Sequence, residues 1–232
     1  MRVVDTPSPN FGPRRGVERP TMLVLHYTGM QSAEESLARL CDPTAEVSAH
    51  YLIEEDGTLH RLVDESQRAW HAGLAFWRGV RDVNSLSIGI ELQNPGHEFG
   101  YRTFPEAQID SLSALCLSIL ARHPIEPAGI VGHSDVAPDR KTDPGELFPW
   151  RDLAGRGIGV FPDLGMPTDR SLPELLAEIG YDPDANECIA AFQRRFRPDR
   201  IDGRADCECA AIAAAYLKLI SNDTDAEGGR HR

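Results

Sequence analysis

Tyr51-Leu-Ile-Glu-Glu-Asp-Gly-Thr-Leu-His-Arg-Leu-Val63 decides the fold class. An Asp-Gly pair between two runs that contain apolar residues predicts a tight hairpin, because glycine takes a positive φ without steric cost. The hairpin supplies an antiparallel pair. The segments around it supply the rest. Met22-Leu-Val-Leu-His26 is too short and too apolar for a surface helix and reads as a buried strand. Ser87-Ile-Gly-Ile-Glu-Leu92 alternates at period two and reads as another, and Ile130-Val131 as a short third one ending at Gly132-His133. Helical spacing lies between them, over Ala33 to Leu40 and over Pro105 to His123, where Ile109, Leu112, Leu115, Leu117, Ile119 and Leu120 give a broad apolar face. Alternating strands and helices plus a hairpin predict an α/β fold with a mixed central sheet flanked by helices.

The flanks are different in kind. The first 20 residues hold Pro7, Pro9, Pro13 and Pro20 and predict an extended arm. Arg151 to Asp169 is rich in glycine and proline and reads as a connector. Beyond it the pattern is helical: Ser171-Leu-Pro-Glu174 has the spacing of a capping box, with a stop near Gly180. Two more helices are expected over about 186–196 and 207–220. The expected division is a catalytic unit over 1–169, a small three-helix module over 170–221 and a disordered polar tail over 222–232.

The chain of 232 residues carries 24 Lys+Arg against 36 Asp+Glu, a formal net charge of -12. That balance, without a dense basic block, disfavours nucleic acid and anionic membrane surfaces as partners. No apolar run approaches the ~18 residues of a membrane span, and no apolar targeting segment opens the chain. Five scattered cysteines, Cys41, Cys116, Cys188, Cys207 and Cys209, read as free thiols of a reducing compartment. The expected location is the cytoplasm.

His26 and His133 share a context, each closing a short apolar strand. Neighbouring parallel strands would bring both to one sheet edge, where open α/β sheets place their ligand sites. Asp143 follows in Gly132-His-Ser-Asp-Val-Ala-Pro-Asp-Arg-Lys-Thr-Asp-Pro-Gly145, a turn-rich loop able to return a carboxylate over that edge. Two histidines and a carboxylate, with one position left for water, are a normal catalytic zinc set. Taken singly, a strand-terminal histidine is more often hydrogen-bonded structure than a metal ligand. Lys141, two positions before Asp143, faces the same way if the stretch is extended, and could stabilise an oxyanion. A solvated loop lysine is the alternative. Glu91 shares a strand face with Ser87 and Gly89, opposite Ile88, Ile90 and Leu92. Partial burial would raise its pKa and suit it to general-base work, whereas an edge strand would turn it to solvent. Gly89 leaves open backbone beside Glu91 for a substrate to approach. His50, His71 and Trp70 could line a sugar-binding groove, and Phe76 and Trp77 could stack on a pyranose; core packing is their commoner fate.

Five segments, read together, resemble the type-2 N-acetylmuramoyl-L-alanine amidases. They are Leu25-His-Tyr-Thr28, Val47-Ser-Ala-His-Tyr-Leu-Ile53 with Asp56-Gly57, Ala69-Trp-His-Ala-Gly73, Asn84 with Ser87 to Leu92, and Gly132 to Gly145. They run in family order across about 19–150. The resemblance implies zinc held by His26, His133 and Asp143, with Glu91 and Lys141 as catalytic residues. It also puts Asn84 beside His50, Trp70 and His71 as candidate substrate-binding residues. The implied reaction is hydrolysis of the amide between the lactyl group of N-acetylmuramic acid and L-alanine. The expected substrates are anhydro-muramoyl peptides met in cell-wall recycling. Two departures stand beside it. The segment between His26 and Ser48 lacks the long insertion of the AmpD-like branch. The part after Arg151 is similar to the AmiD-like branch, without that branch's secretion segment. An exported amidase acting on peptidoglycan, and a muropeptide-binding sensor without turnover, are the alternatives. Oligomeric state is left open.

Overall fold

The computed structural model describes residues 2–228, with side chains as far as Ser221. Its centre is a six-stranded sheet in the order β1 (Val3–Asp5), β5 (Leu59–Arg61), β4 (Tyr51–Ile53), β7 (Ser87–Leu92), β3 (Met22–Tyr27), β8 (Ile130–Gly132). Strands β3, β7 and β8 are parallel neighbours, and β4 runs parallel to β7. β5 pairs antiparallel with β4, so the sheet is mixed as the hairpin predicts. At the turn, the Glu54 N–H donates to the Thr58 carbonyl at 2.9 Å and Gly57 adopts φ +85. A Cβ at Gly57 would also lie 2.6 Å from the Ala107 carbonyl oxygen, so the position needs glycine twice over.

The proline-rich arm does more than extend. Val3–Asp5 forms β1, parallel to β5 at the sheet edge, and Phe11–Pro13 forms β2, antiparallel to β6 (Gln67–Ala69) in a second, two-stranded sheet. Polar side chains tie it down. Asn10 Nδ2 donates to the carbonyls of Asp42 at 2.8 Å and Val47 at 2.9 Å, and Arg14 Nη1 donates to those of Ser85 at 2.7 Å and Ser87 at 3.0 Å.

Both faces of the central strands are buried, which explains their nearly continuous apolar runs. Leu23, Leu25, Ile88 and Ile90 pack against α4 (Glu106–Leu120) through Ile109, Leu112 and Ile119. On the other face, Met22, Val24 and Val131 share a core with the C-terminal helices α7 (Leu172–Ile179), α8 (Cys188–Phe196) and α9 (Cys207–Gly228), through Leu175, Phe192 and Tyr216 among others. The remaining helices are α1 (Ala33–Cys41), α2 (Val83–Leu86), α3 (Gly96–Phe99), α5 (His133–Val136) and α6 (Trp150–Gly155).

Three expectations need correcting. The connector begins as helix α6, whose residues Trp150 and Leu153 are buried in the α4 core. Ser171 caps α7 by position but makes no side-chain capping hydrogen bond, and Pro173 leaves it only the Glu174 N–H to reach. Finally, α9 runs past Ile220 to Gly228, so the segment expected to be a disordered tail is helical over 222–228. Nothing before the Gly228-Gly229 pair breaks a helix there, and Ala226 and Glu227 favour one. Residues 229–232 lie outside the described residues. No helix among the described residues is long and apolar enough to cross a membrane.

Candidate active site

Parallel strands β7, β3 and β8 deliver their C-terminal ends side by side. His26 on β3 is the register partner of Glu91 on β7, and His133 follows β8 directly as the first residue of α5. The loop after α5 then folds back: the Ser134 N–H donates to the Asp143 carbonyl at 2.8 Å, which fixes the aspartate over the strand ends. Three atoms converge as a result. His26 Nδ1 and His133 Nδ1 are 2.9 Å apart, and Asp143 Oδ2 lies 3.1 Å from each. All three side chains are buried.

The outer nitrogens are engaged as well. His133 Nε2 lies 3.1 Å from the Ala72 carbonyl, which can only accept, so this nitrogen carries a proton and Nδ1 is the ring atom turned to the triangle. His26 Nε2 lies 3.0 Å from His71 Nδ1. Burial, reinforced by His133, lowers the His26 pKa to about 4. Asp143 sits below the ordinary carboxylate range: burial pushes it up, and His133 and His26 together outweigh that. Neutral imidazole and ionised carboxylate are the forms that bind a metal.

The set fits a divalent ion. Tetrahedral zinc with bonds of about 2.0–2.2 Å holds its ligands roughly 3.3 Å apart, and the observed triangle is only slightly tighter. Two imidazole nitrogens and one carboxylate oxygen are donors of the hardness zinc takes in catalytic sites. Among the described residues this is the His/Cys/Asp/Glu group able to hold a metal.

Beside the triangle a cavity of about 410 Å³ opens, lined by His26, His133, Asp143, Glu91 and Lys141. Glu91 Oε2 is buried and has no hydrogen-bond partner. Burial, then the Asp143 charge, raise the Glu91 pKa well above its ordinary value, while Lys141 pulls it down. The structure thus brings together all five residues that the sequence nominates for metal and catalysis. A larger cavity, about 890 Å³, lies between α6, α8 and α9 and contains none of them.

The nominated substrate-binding residues fare differently. His50 is fully buried: its Nδ1 accepts the Gly89 N–H at 2.9 Å and its Nε2 lies 3.1 Å from the Gln67 carbonyl, so no ring atom faces the cavity. Asn84 is buried too, and its Oδ1 accepts the N–H groups of His71 at 3.1 Å and Ala72 at 2.8 Å. Trp70 does not line the cavity; its backbone pairs with Ser48. His71 does reach the cavity wall, but both ring nitrogens are already engaged. Trp77 is core, edge-on to Tyr181 at 5.2 Å. Gly89 offers no approach for a substrate, because the His71 ring fills the place of its missing Cβ. Residues that the sequence reading passed over, Tyr27, Arg140 and Thr142, line the cavity. Their signal was adjacency: one follows His26 and two flank Lys141.

Comparison with known proteins finds a family and named relatives. Residues 16–146 match the family described as N-acetylmuramoyl-L-alanine amidase, Amidase_2. Over 237 aligned residues, 88% of this chain and 85% of the relative, the chain is 41% identical to N-acetylmuramoyl-L-alanine amidase AmiD of Escherichia coli. It is 35% identical to 1,6-anhydro-N-acetylmuramyl-L-alanine amidase AmpD of the same organism, over 62% of this chain and 86% of that one. Among solved structures, AmiD from E. coli in complex with the substrate anhydro-N-acetylmuramic acid-L-Ala-D-gamma-Glu-L-Lys superposes with a TM-score of 0.77 at 39% identity, covering 90% of this chain and 98% of the other. AmpDh3 from Pseudomonas aeruginosa gives 0.79 at 33% identity, covering 92% and 95%. With the family match, the relatives and the fold in agreement, the chain belongs to the N-acetylmuramoyl-L-alanine amidase family.

Proposed function

We propose that the protein is a zinc-dependent amidase that hydrolyses the bond between the lactyl group of (1,6-anhydro-)N-acetylmuramic acid and L-alanine, in peptidoglycan recycling in the cytoplasm. One observation carries the catalytic reading: the unpartnered, buried Oε2 of Glu91 beside three converging metal-ligand atoms. The names of the relatives support the substrate class, and free cysteines support a reducing compartment.

His26 Nδ1, His133 Nδ1 and Asp143 Oδ2 would hold zinc, which supplies polarisation of the lactyl carbonyl and a more acidic water. Glu91 removes a proton from the attacking water while its oxygen bonds to the carbonyl carbon. The same carboxyl then gives that proton to the alanine nitrogen as the C–N bond breaks. A raised pKa serves both halves, since the group must take the proton and surrender it near neutral pH. Lys141, on the same cavity wall, places positive charge where the carbonyl oxygen becomes negative. Tyr27 stands at the rim, its hydroxyl 2.9 Å from His97 Nδ1 and 3.1 Å from Thr142 Oγ1.

The test is mass spectrometry of anhydro- and reducing-end muramoyl tripeptides incubated with the zinc-loaded protein. Free peptide and free muramic sugar are expected, with the anhydro substrate consumed faster. Intact substrates would refute turnover. Glu91→Gln should cut turnover by about 10²–10⁴-fold with zinc content unchanged by elemental analysis. Recovery of the protein in a periplasmic fraction would overturn the assigned compartment.

A further inference from the structure

His26 and His133 differ in how their proton is placed. For His133 the Ala72 carbonyl decides directly. For His26 the neighbour is another imidazole, which could donate or accept, and the answer lies two links further on. Ser87 Oγ is 2.6 Å from the Val83 carbonyl. A carbonyl only accepts, so the single hydroxyl proton of Ser87 is spent there, and toward His71 Nε2, at 3.2 Å, the serine oxygen can only accept. His71 Nε2 therefore carries a proton. The ring lies buried between the His26 and His50 rings with Ser87 at its Nε2, so its Nδ1 is the atom left to accept. That Nδ1 accepts from His26 Nε2 at 3.0 Å. The proton of His26 is thus on Nε2, and its Nδ1 lone pair faces His133 and Asp143.

The backbone of the same dipeptide is held as firmly as its ring. Asn84 Oδ1 accepts both the His71 and the Ala72 N–H. Gly89, on β7, vacates the space that the ring occupies; a Cβ there would overlap its Cγ and Cδ2. We infer that His71-Ala72, anchored by Asn84, Ser87 and the Gly89 slot, is a positioning element that sets the metal-facing tautomer of both ligand histidines, His26 through the His71 ring and His133 through the Ala72 carbonyl. This rests on the zinc reading of the preceding section. It makes His71 and Asn84 servants of the metal site in place of substrate contacts.

The test reads tautomers first. Long-range ¹H–¹⁵N correlation spectra of the wild-type protein before and after zinc loading should show His26 protonated at Nε2 in both. In Ser87→Ala the relay loses its fixed end, and a resolved fraction of His26 protonated at Nδ1 should appear in the metal-free protein. In His71→Phe, which keeps ring bulk in the Gly89 slot, the acceptor is gone. Either variant should lower zinc affinity by about 10–100-fold, measured by competition with a chromophoric chelator. Ser87→Thr, which retains the hydroxyl, should restore both readings. Thermal melting separates these effects from unfolding, and if one of the two disruptive variants does not fold the other carries the measurement. His26 protonated at Nδ1 in the wild type, or zinc affinity within twofold of wild type in a folded variant, would overturn the inference and leave the amidase reading standing. A wild-type protein that binds no zinc would overturn both.

Discussion

Four histidines, His26, His50, His71 and His133, form one buried chain of edge-to-face rings, with His26 4.4 Å from His133 and 5.1 Å from His71, and His50 5.8 Å from His71. Their different tasks come from what lies at each second nitrogen. His50 shows the energetic side most cleanly, since it lies away from the metal ligands. Burial, then the Arg14 charge, lower its pKa to about 3, against about 6.5 in an unfolded chain. As pH falls below about 6.5 the unfolded chain takes up this proton first, so the contribution of neutral His50 is intact above that pH and is lost progressively toward pH 3. The full loss is on the order of 4–5 kcal/mol. His50→Gln should flatten the fall of unfolding free energy between pH 6.5 and 4, measured by urea titration at several pH values; an unchanged slope would clear His50 of this role. The sequence could not tell these rings apart. His50 and His71 both stand beside aromatics and look alike locally. What occupies their ring nitrogens is partners 36 and 39 positions away for His50, Arg14 and Gly89, and one 16 away for His71, Ser87.

Elements that carry their own pattern were legible; those that exist only through their pairing were not. The β7 strand runs over Ser87–Leu92 as its alternation predicts, because one apolar face and one functional face leave a single possible register. The hairpin and α4 followed from turn chemistry and helical spacing. Strands β1 and β2 did not, since three-residue segments in a proline-rich arm acquire their structure only by pairing with β5 and β6, more than 50 residues away. Helix starts give a sharper contrast. Ser32-Ala-Glu-Glu35 and Ser171-Leu-Pro-Glu174 have the same spacing, yet only Ser32 accepts the N–H of its third successor, Glu35, at 3.1 Å. Ser32→Ala should therefore cost about 1 kcal/mol of stability, and Ser171→Ala no more than about 0.5 kcal/mol. Chemical denaturation of the two variants side by side checks this, and equal losses would contradict it.

The helices after residue 169 are joined to the catalytic sheet by more than apolar packing. Asp135, two residues after His133, receives the Gly132 N–H at 2.8 Å, the Tyr181 hydroxyl at 2.6 Å and Arg195 Nη1 at 2.7 Å. Arg195 also donates to the Ile130 carbonyl at 3.0 Å and lies 4.1 Å over the Trp150 ring. Both charges are almost fully withdrawn from water. Arg195→Met would leave the aspartate buried without its counter-charge and should lower the unfolding free energy by about 3–5 kcal/mol. Urea denaturation would read it, and a loss under about 1 kcal/mol would mean that this pair contributes little. The sequence showed three helices after the connector. It did not show the buried ion pair, because Asp135 and Arg195 lie 60 positions apart.

The shared core has a consequence for descent. Met22, Val24 and Val131 from the sheet complete the interior around Leu175, Phe192 and Tyr216, so the C-terminal helices carry only part of what they need to fold. A recombination event that moved residues 170–221 onto a new host would leave those three side chains behind. The segment can be inherited with its sheet and reshaped on it; as a portable cassette it would arrive incomplete.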